Sequence, residues 1–391
     1  MKHVLIIFTG EFKTKIYPLG GVFQHEHALA LKKNGIKTGI IAPGLLSVRR
    51  ILKRYPYKKY ESVKGIPVFR YFKQNLFPAR IGLYNLFLAK EYEKIGLRLF
   101  EKYIQKFGKP DLIHAHDIRF GIYVANVINK KYKIPFLTTE CSSETAENLF
   151  PTPLKSSAIS ILKNSRAVTA CSKTFSKVFK KKLDLKNIKV GTIYPVLPYD
   201  LSKKLILKKK KNNKFTFITV NRLDKNKNVK LIIRSFIKGF KNENAILKII
   251  GNGPEFKNLA NICKSNNTEK KIIFIKNATR KKMKKEMSNS DCFLSSSFHE
   301  TFGVVLIEAL ALGIPVISTK AEGPLDIVNK ANGLLVNHDD INAYTNSMKK
   351  IFLKNKKFNS LKLRKNIIKR FGTNKFAKTT IKIYKRCLKK F

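Results

Sequence analysis

The sequence is short of acidic residues and has no tryptophan. Its 391 residues include 25 Asp and Glu against 80 Lys and Arg, which gives a formal net charge of +55. The excess is not a single tail, because 36 basic residues face 12 acidic ones up to Pro195, and 44 face 13 after it. So large a charge predicts anionic partners, such as membrane surfaces, nucleic acids or phosphorylated substrates. Abundant Lys, Asn and Ile are also typical of AT-rich genomes, but that bias does not explain the shortage of Asp and Glu.

Cysteines and long apolar runs are also scarce. The five cysteines are an odd number with no close pair. This argues against a disulfide framework or a zinc site and favours a reducing compartment. No run of about 18 uncharged apolar residues is present, so we expect no transmembrane helix. Met1–Phe8 is basic and then apolar, but no small-residue cleavage site follows, which predicts a first strand rather than a signal peptide.

Short apolar segments alternate with amphipathic ones along the whole chain. This alternation predicts an α/β protein with two doubly wound parallel-sheet domains, at 1–196 and 215–370. Prolines and a lysine run predict an exposed linker at 197–214. Residues 371–391 are predicted to contain a C-terminal helix after the second sheet, and its return to the N-terminal domain is left open. The predicted strands are His3–Phe8, Thr38–Ala42, Pro67–Tyr71, Asp111–Ala115, Pro135–Thr139, Ala167–Ala170, Lys189–Ile193, Phe215–Val220, Ala245–Ile250, Ile272–Ile275, Cys292–Ser295 and Pro315–Ser318.

Two glutamates flank a predicted helix start in the second domain. Thr301 is a candidate N-cap for a helix over Gly303–Leu312. A helix N-terminus with sterically open N–H groups attracts phosphate. Glu300 stands just before this helix and Glu308 more than one turn inside it, so both could hold hydroxyl groups beside the anion. The alternative is a surface turn with two solvated glutamates.

A second candidate for anion binding follows the first strand of that domain. Arg222 and Lys227 lie on a loop between a strand and a helix, where two cations suit a diphosphate leaving group. In a chain this basic, a chance Arg and Lys pair is the competing interpretation.

The first domain offers three further candidates. Gly20 and Gly21 open a helix and permit close approach of a substrate, although a plain turn is a commoner reason for paired glycines. His114 and His116 end a strand and point to one face. Metal binding is one interpretation, but no third ligand stands nearby in the sequence, and a hydrogen-bonded pair is another. Glu140-Cys141 follows the next strand and predicts a loop at the same sheet edge.

The helix-start segment resembles the signature of glycosyltransferase family 4. Glu300 and Glu308 form its E-x7-E motif in the context E-x-F-G…E-A-x-A-x-G-x-P-V. The resemblance implies that Glu300 contacts hydroxyls of the transferred sugar and that Glu308 binds the ribose of the donor. It implies that the backbone of Gly303, Val304 and Val305 meets the diphosphate.

The other candidates resemble further family motifs. Arg222 and Lys227 match the pattern G-R-L-x-x-x-K-G, with Asn221 and Asn228 in place of its glycines. Gly20-Gly21 resembles the glycine-rich loop, which faces the donor phosphate and the acceptor.

In the first domain, the resemblance places His116 near the transferred sugar. Glu140-Cys141 is similar to a T-E-H-S-S segment that carries an acceptor role, with Cys141 in place of histidine. Lys276 and Asp326 depart from the family pattern. No D-x-D motif is present, so we expect no metal and no cofactor, the nucleotide-sugar being a co-substrate.

The resemblance implies the GT-B fold, in which two Rossmann-like domains face each other across a cleft with Glu300 and His116 on opposite walls. We expect a retaining hexosyltransferase that uses a UDP- or GDP-sugar and a saccharide or lipid-linked acceptor in cell-surface polysaccharide synthesis. A GT-B nucleotide-sugar epimerase is one alternative. A nucleic-acid-binding protein is another, but it is favoured by charge alone and no nucleic-acid partner is expected.

Two mixed basic and apolar segments bear on location. They are Leu45–Lys59 and Tyr71–Leu88, and they predict peripheral binding to an anionic membrane, on the inner face of the cytoplasmic membrane. A solvated basic helix face is the alternative.

Overall fold

The structure is a computed structural model that describes residues 1–10, 20–47, 59–75, 84–202, 213–354 and 358–389. It divides into two compact units, one formed by Met1–Tyr199 with Thr373–Phe391 and the other by Asp200–Gly372. The strands are β1 (His3–Phe8), β2 (Lys37–Ser47), β3 (Tyr60–Val63), β4 (Ile66–Asn75), β5 (Leu112–His116), β6 (Phe136–Glu140), β7 (Val168–Ala170), β8 (Val190–Thr192), β9 (Phe215–Val220), β10 (Ala245–Ile250), β11 (Ile272–Ile275), β12 (Cys292–Ser295), β13 (Val316–Thr319) and β14 (Gly333–Val336). The helices are α1 (Val22–Lys32), α2 (Tyr84–Phe107), α3 (Gly121–Tyr132), α4 (Ser143–Ala146), α5 (Thr152–Asn164), α6 (Lys173–Lys182), α7 (Tyr199–Ser202), α8 (Val229–Phe240), α9 (Phe256–Ser265), α10 (Arg280–Ser288), α11 (Val304–Ala311), α12 (Glu322–Ile327), α13 (Ile341–Lys354), α14 (Ser360–Phe371) and α15 (Thr373–Lys389).

The first unit is built on an eight-stranded sheet. Its strand order is β3-β4-β2-β1-β5-β6-β7-β8, parallel except for the β3–β4 pair. The central strands β1 and β5 are almost wholly buried, as expected of parallel strands covered on both faces. The chain winds outward in both directions from these two strands, and they pair with Phe8 opposite His116. Open α/β sheets bind ligands at the carboxyl ends of strands at such a switch point.

The second unit repeats this plan with six parallel strands. Their order is β11-β10-β9-β12-β13-β14, so the switch point lies between β9 and β12. Its core contains Phe217 of β9, Phe236 and Phe240 of α8, and Tyr344 of α13, all fully buried. The predicted α/β class with two parallel sheets is confirmed.

The last helix belongs to the first unit. Phe376, Tyr384 and Cys387 of α15 pack with Val4 of β1 and Leu112 of β5 in one buried cluster. A helix more than 370 residues along the chain therefore helps to form the core around the first strand.

Some local predictions were wrong. The segment 197–214 is not exposed at its start, because Leu197 and Leu201 are buried and Tyr199–Ser202 forms α7. Its residues 203–212 lie outside the described residues. Strands β3 and β14, which lie at the edges of their sheets, were missed.

The two mixed basic and apolar segments are only partly described. Residues 48–58 of Leu45–Lys59 and residues 76–83 of Tyr71–Leu88 lie outside the described residues. At the described ends, Leu46 is buried in β2, whereas Tyr71 on β4 is exposed. Among the helices of the described residues, none combines the length and the apolar character that crossing a membrane requires.

Candidate functional site

In the second unit, the loops that follow β9 and β12 are joined by hydrogen bonds at the switch point. The Asn226 side chain donates to the His299 carbonyl at 3.0 Å and accepts from the His299 amide at 2.9 Å. The Ser296 hydroxyl lies 2.8 Å from the Lys227 carbonyl and 2.9 Å from the Asn228 carbonyl. These contacts fix the two predicted site loops against each other.

Lys227 and Glu300, which were predicted from separate motifs, meet here. The Lys227 ammonium donates to the Glu300 carboxylate at 2.7 Å, and each side chain is 22% exposed. The Glu300 backbone is held on both sides, because its amide donates to Glu322 at 3.1 Å and its carbonyl accepts from the Gly323 amide at 2.7 Å. A cation and a carboxylate are thus presented together at the edge of the sheet, where both can still reach solvent.

The helix start beside this pair differs from the predicted one. Gly303, not Thr301, is the N-cap of α11, with φ of 94° in the left-handed region that favours glycine. Thr301 is buried, while Val304 and Val305 on the first turn are partly exposed. The first amides of a helix have no partner within it, and they carry the positive end of its dipole. A helix end whose charge and open amides would suit an anion therefore lies next to Glu300.

The other predicted donor residues have contrasting surroundings. Arg222 is 75% exposed and lies 3.7 Å from Asp224, so its guanidinium is held only loosely. Glu308, on α11, accepts a hydrogen bond from Arg280 at 3.0 Å. Sequence reasoning missed Arg280, because one more cation in so basic a chain carries no signal. Glu322 was not among the predicted site residues either, although it binds both His299 and the Glu300 amide.

In the first unit, His116 lies at the carboxyl end of β5 in a buried cluster of three histidines. The third member is His27 of α1, which sequence reasoning missed because its partners are far away in the chain. One ring nitrogen from each of His27, His114 and His116 lies within 4.8 Å of the others. Both ring nitrogens of His114 are already hydrogen-bonded, to Tyr384 and to Thr139, each at 2.6 Å. A metal ion held by all three rings would break one of these bonds.

Burial keeps this cluster neutral. It lowers the pKa of His116 to about 3 and the pKa values of His27 and His114 well below the ordinary range. Within the described residues, neither ring nitrogen of His116 has a hydrogen-bond partner. A buried polar group in that state is suited to a ligand that completes its hydrogen bonds.

A cavity of about 420 Å³ opens beside His116. Polar and aromatic side chains from several segments line it. They include Phe8, Gln24, His116, Arg119, Cys141 and Glu144. The cavity therefore offers both hydrogen-bonding groups and aromatic surface to a polar ligand.

Glu140, predicted to lie on a loop, is the last residue of β6, whereas Cys141 follows the strand and lines this cavity. Glu140 is fully buried and accepts from the Ile118 amide, the Ser142 amide and the Thr145 hydroxyl at 2.9 to 3.1 Å. Burial and then the nearby Asp117 carboxylate raise the pKa of Glu140 to about 8. The Cys171 thiol and burial raise the pKa of Cys141 well above its usual value.

The paired glycines open α1. Gly21 is its N-cap, with φ of 63° in the left-handed region, and Gly20 precedes it in a turn. The carbonyl of Gly21 accepts from the His25 amide at 3.0 Å. Both glycines therefore lie at the start of the helix that carries His27.

Two family models match the sequence. The model for glycosyl transferases group 1 matches residues 203–371, and the model for glycosyltransferase family 4 matches residues 20–200. The chain belongs to this family 4, group 1 class of glycosyltransferases, and it is a transferase with the GT-B fold.

Individual relatives agree with this class. The uncharacterized glycosyltransferase MJ1607 of Methanocaldococcus jannaschii is 24% identical over 97% of both chains. TuaC of Bacillus subtilis, whose name assigns it to teichuronic acid biosynthesis, is 26% identical over 85% of both. The crystal structure of Anabaena HepE in complex with UDP and glucose superposes with a TM-score of 0.72 at 15% identity, covering 98% of this chain and 100% of that one.

Proposed function

We propose that this protein is a retaining glycosyltransferase that moves a hexose from a UDP- or GDP-sugar to a saccharide or lipid-linked acceptor. The observation that carries the proposal is the Lys227–Glu300 pair beside the N-terminus of α11. The arrangement combines positive charge for a diphosphate with a carboxylate for sugar hydroxyls.

The donor is proposed to bind to the second unit. Its diphosphate would meet the amides of Gly303, Val304 and Val305, with Lys227 and Arg222 as cations. The negative charge on the diphosphate grows as the sugar leaves, so these groups would stabilise the transition state more than the bound substrate. Glu300 would then exchange its contact with Lys227 for sugar hydroxyls. Glu308, held by Arg280, would bind the ribose.

The acceptor is proposed to bind in the cavity of the first unit. His116 is neutral and lacks a partner within the described residues, so it can hydrogen-bond to a hydroxyl without a change in charge. We propose that no divalent metal is required, because cations and the helix N-terminus supply the charge that a metal would bring.

We propose a role in cell-surface polysaccharide synthesis, with the protein attached peripherally to the inner face of the cytoplasmic membrane. The name of TuaC supports the pathway class, and the net charge of +55 supports attraction to anionic lipid.

The test is the anomeric configuration of the first-formed product. Thermal stabilisation by UDP- and GDP-sugars first identifies a donor, and NMR then follows its α-linked form during reaction with candidate saccharides in a chelating buffer. An α-linked product is expected. A β-linked product would overturn retention, and activity that collapses in chelator and returns with magnesium would overturn metal independence.

Matched lysine variants test the donor site. Lys227→Met should reduce kcat more than it weakens nucleotide binding. Lys225→Met removes an exposed charge from the same loop and should leave both nearly unchanged. Equal effects of the two variants would show that only general charge matters.

A further inference from the structure

A chain of five hydrogen bonds runs through the histidine cluster of the first unit. It links His27 Nε2 to the Tyr384 hydroxyl (3.0 Å), Tyr384 to His114 Nδ1 (2.6 Å), and His114 Nε2 to the Thr139 hydroxyl (2.6 Å). Thr139 then contacts the Thr169 hydroxyl at 2.7 Å, and Thr169 lies 3.0 Å from the carbonyl of Thr138. These residues are buried, so the positions of their protons are set by the hydrogen bonds among them and not by water.

The direction of the chain follows from its last link. A backbone carbonyl only accepts, so Thr169 must donate to Thr138 and therefore accepts from Thr139. Thr139 in turn accepts from His114, which places the proton of this neutral ring on Nε2. In the reverse direction, Thr169 would donate to Thr139, and its contact with the carbonyl would have no proton. One direction alone satisfies all five contacts.

The same reasoning fixes His27. Because His114 Nδ1 is bare, the Tyr384 hydroxyl donates to it and accepts from His27 Nε2. The proton of the neutral His27 ring is thus on Nε2, and its Nδ1 is a bare acceptor. Within the described residues, His27 Nδ1 has no hydrogen-bond partner, and the same is true of both nitrogens of His116.

His27 and His116 therefore present complementary unsatisfied groups. Their ring centroids are 5.1 Å apart at an angle of 80°, and one nitrogen of each lies within 4.8 Å of the other. His116 carries one N–H in its neutral form, and His27 Nδ1 can only accept. An unsatisfied buried acceptor costs about 1–3 kcal/mol. This cost favours a hydrogen bond from the N–H of His116 to His27 Nδ1 once the two rings reorient.

We propose that Tyr384 and His27 are positioning residues that set the polarity of His116. With substrate in the cavity, His116 donates its N–H to His27 Nδ1 and accepts a hydrogen bond from a substrate hydroxyl with its other nitrogen. This inference rests on the proposed function for the identity of the ligand, a hydroxyl-bearing saccharide. The polarity itself does not depend on that function.

The first test is therefore spectroscopic. Nitrogen-15 NMR of histidine-labelled full-length protein distinguishes protonated from bare ring nitrogens. We expect His27 and His114 to be protonated on Nε2 only. In Tyr384→Phe, His114 should keep its proton on Nε2, because its bond to Thr139 remains, whereas His27 loses its partner and should show mixed tautomers. Tyr103→Phe is the matched control, because Tyr103 forms a separate buried hydrogen bond with His3 at 2.6 Å in the same unit. A proton on Nδ1 of either ring in the unaltered protein, or an unchanged His27 tautomer in Tyr384→Phe, would overturn the inference.

Kinetics give the second readout, using the donor and acceptor identified by screening. Tyr384→Phe should lower kcat about tenfold, equivalent to about 1.4 kcal/mol, with less than a twofold change in the donor KM. His27→Asn places an amide oxygen near the position of Nδ1, whereas His27→Gln places its amide near Nε2. The Asn variant should therefore retain more activity than the Gln variant. If the Gln variant is equal or better, His27 does not act through Nδ1. If the spectra agree but no sugar transfer is found, the proposed function fails and the polarity stands.

Discussion

Replacement of Glu140 by glutamine should change how the stability of the first unit depends on pH. Glu140 is fully buried at the carboxyl end of β6, and its pKa is raised from 4.5 to about 8. A carboxyl group whose pKa is raised on folding stabilises the protein below its unfolded pKa. That contribution is lost as the pH rises through the folded value.

The size of the effect follows from the two pKa values. Each pH unit between them removes about 1.4 kcal/mol, because the unfolded chain has released the proton and the folded one has not. Between pH 5 and pH 8, the free energy of unfolding should fall by about 3 kcal/mol through this group. Glu140→Gln cannot titrate, so it should lack this component.

Urea unfolding followed by circular dichroism measures the difference at several pH values. Subtraction of the variant from the unaltered protein isolates Glu140 from the many lysines. Glu144→Gln is the control, since Glu144 lies four residues further on in α4, is 45% exposed and pairs with Arg119. A direct titration of carbon-13-labelled glutamate should show a midpoint near 8. Parallel stability curves for Glu140→Gln and the unaltered protein, or a midpoint below 6, would refute the reasoning.

Two further predictions concern the donor loop and the membrane. In Gly323→Ala, the new Cβ would lie 2.1 to 2.3 Å from backbone atoms of Phe302, so the free energy of unfolding should fall by about 2 kcal/mol or more in thermal unfolding. Donor binding should also weaken, because the Gly323 amide donates to the Glu300 carbonyl. Unchanged melting and binding would show that the loop adapts. At physiological salt, the protein should sediment with anionic vesicles but not neutral ones, and pelleting should fall as salt rises. Equal pelleting with both lipids would count against membrane attachment. So would an absence of any effect when the charge is reversed at the basic positions of the segment Leu45–Lys59. These basic positions are Arg49, Arg50, Lys53 and Arg54.

The strands were predicted well where the chain is locally unambiguous. In the second unit, β9, β10, β11 and β12 have their predicted bounds, because short apolar runs are bracketed by polar turns. The N-cap of α11 was misplaced by two residues, since propensity favours threonine at this position whereas the chain needs the left-handed φ that Gly303 provides. A short stretch of sequence does not show which of these two residues caps the helix.

The candidate site, like the fold, was predicted only in part. Sequence placed Lys227 and Glu300 at strand ends of one domain, and the structure brings them to 2.7 Å. Their roles toward a donor stay predictions. His27 and Tyr384 could not be found in this way, because their partner His114 is 87 and 270 positions away along the chain. Contacts between such distant side chains carry no local pattern.

The return of α15 to the first unit has a consequence for synthesis of the protein. Domains commonly fold in order as the chain leaves the ribosome. Here the core around β1 and β5 lacks Phe376 and Tyr384 until α15 has been translated. During that interval His27 would lack its hydroxyl partner and His114 would keep only that of Thr139, and the apolar surface that α15 covers would remain exposed. The first unit to emerge is thus the last to be completed, and a polypeptide that stops after α14 would carry both sheets but an unfinished histidine cluster.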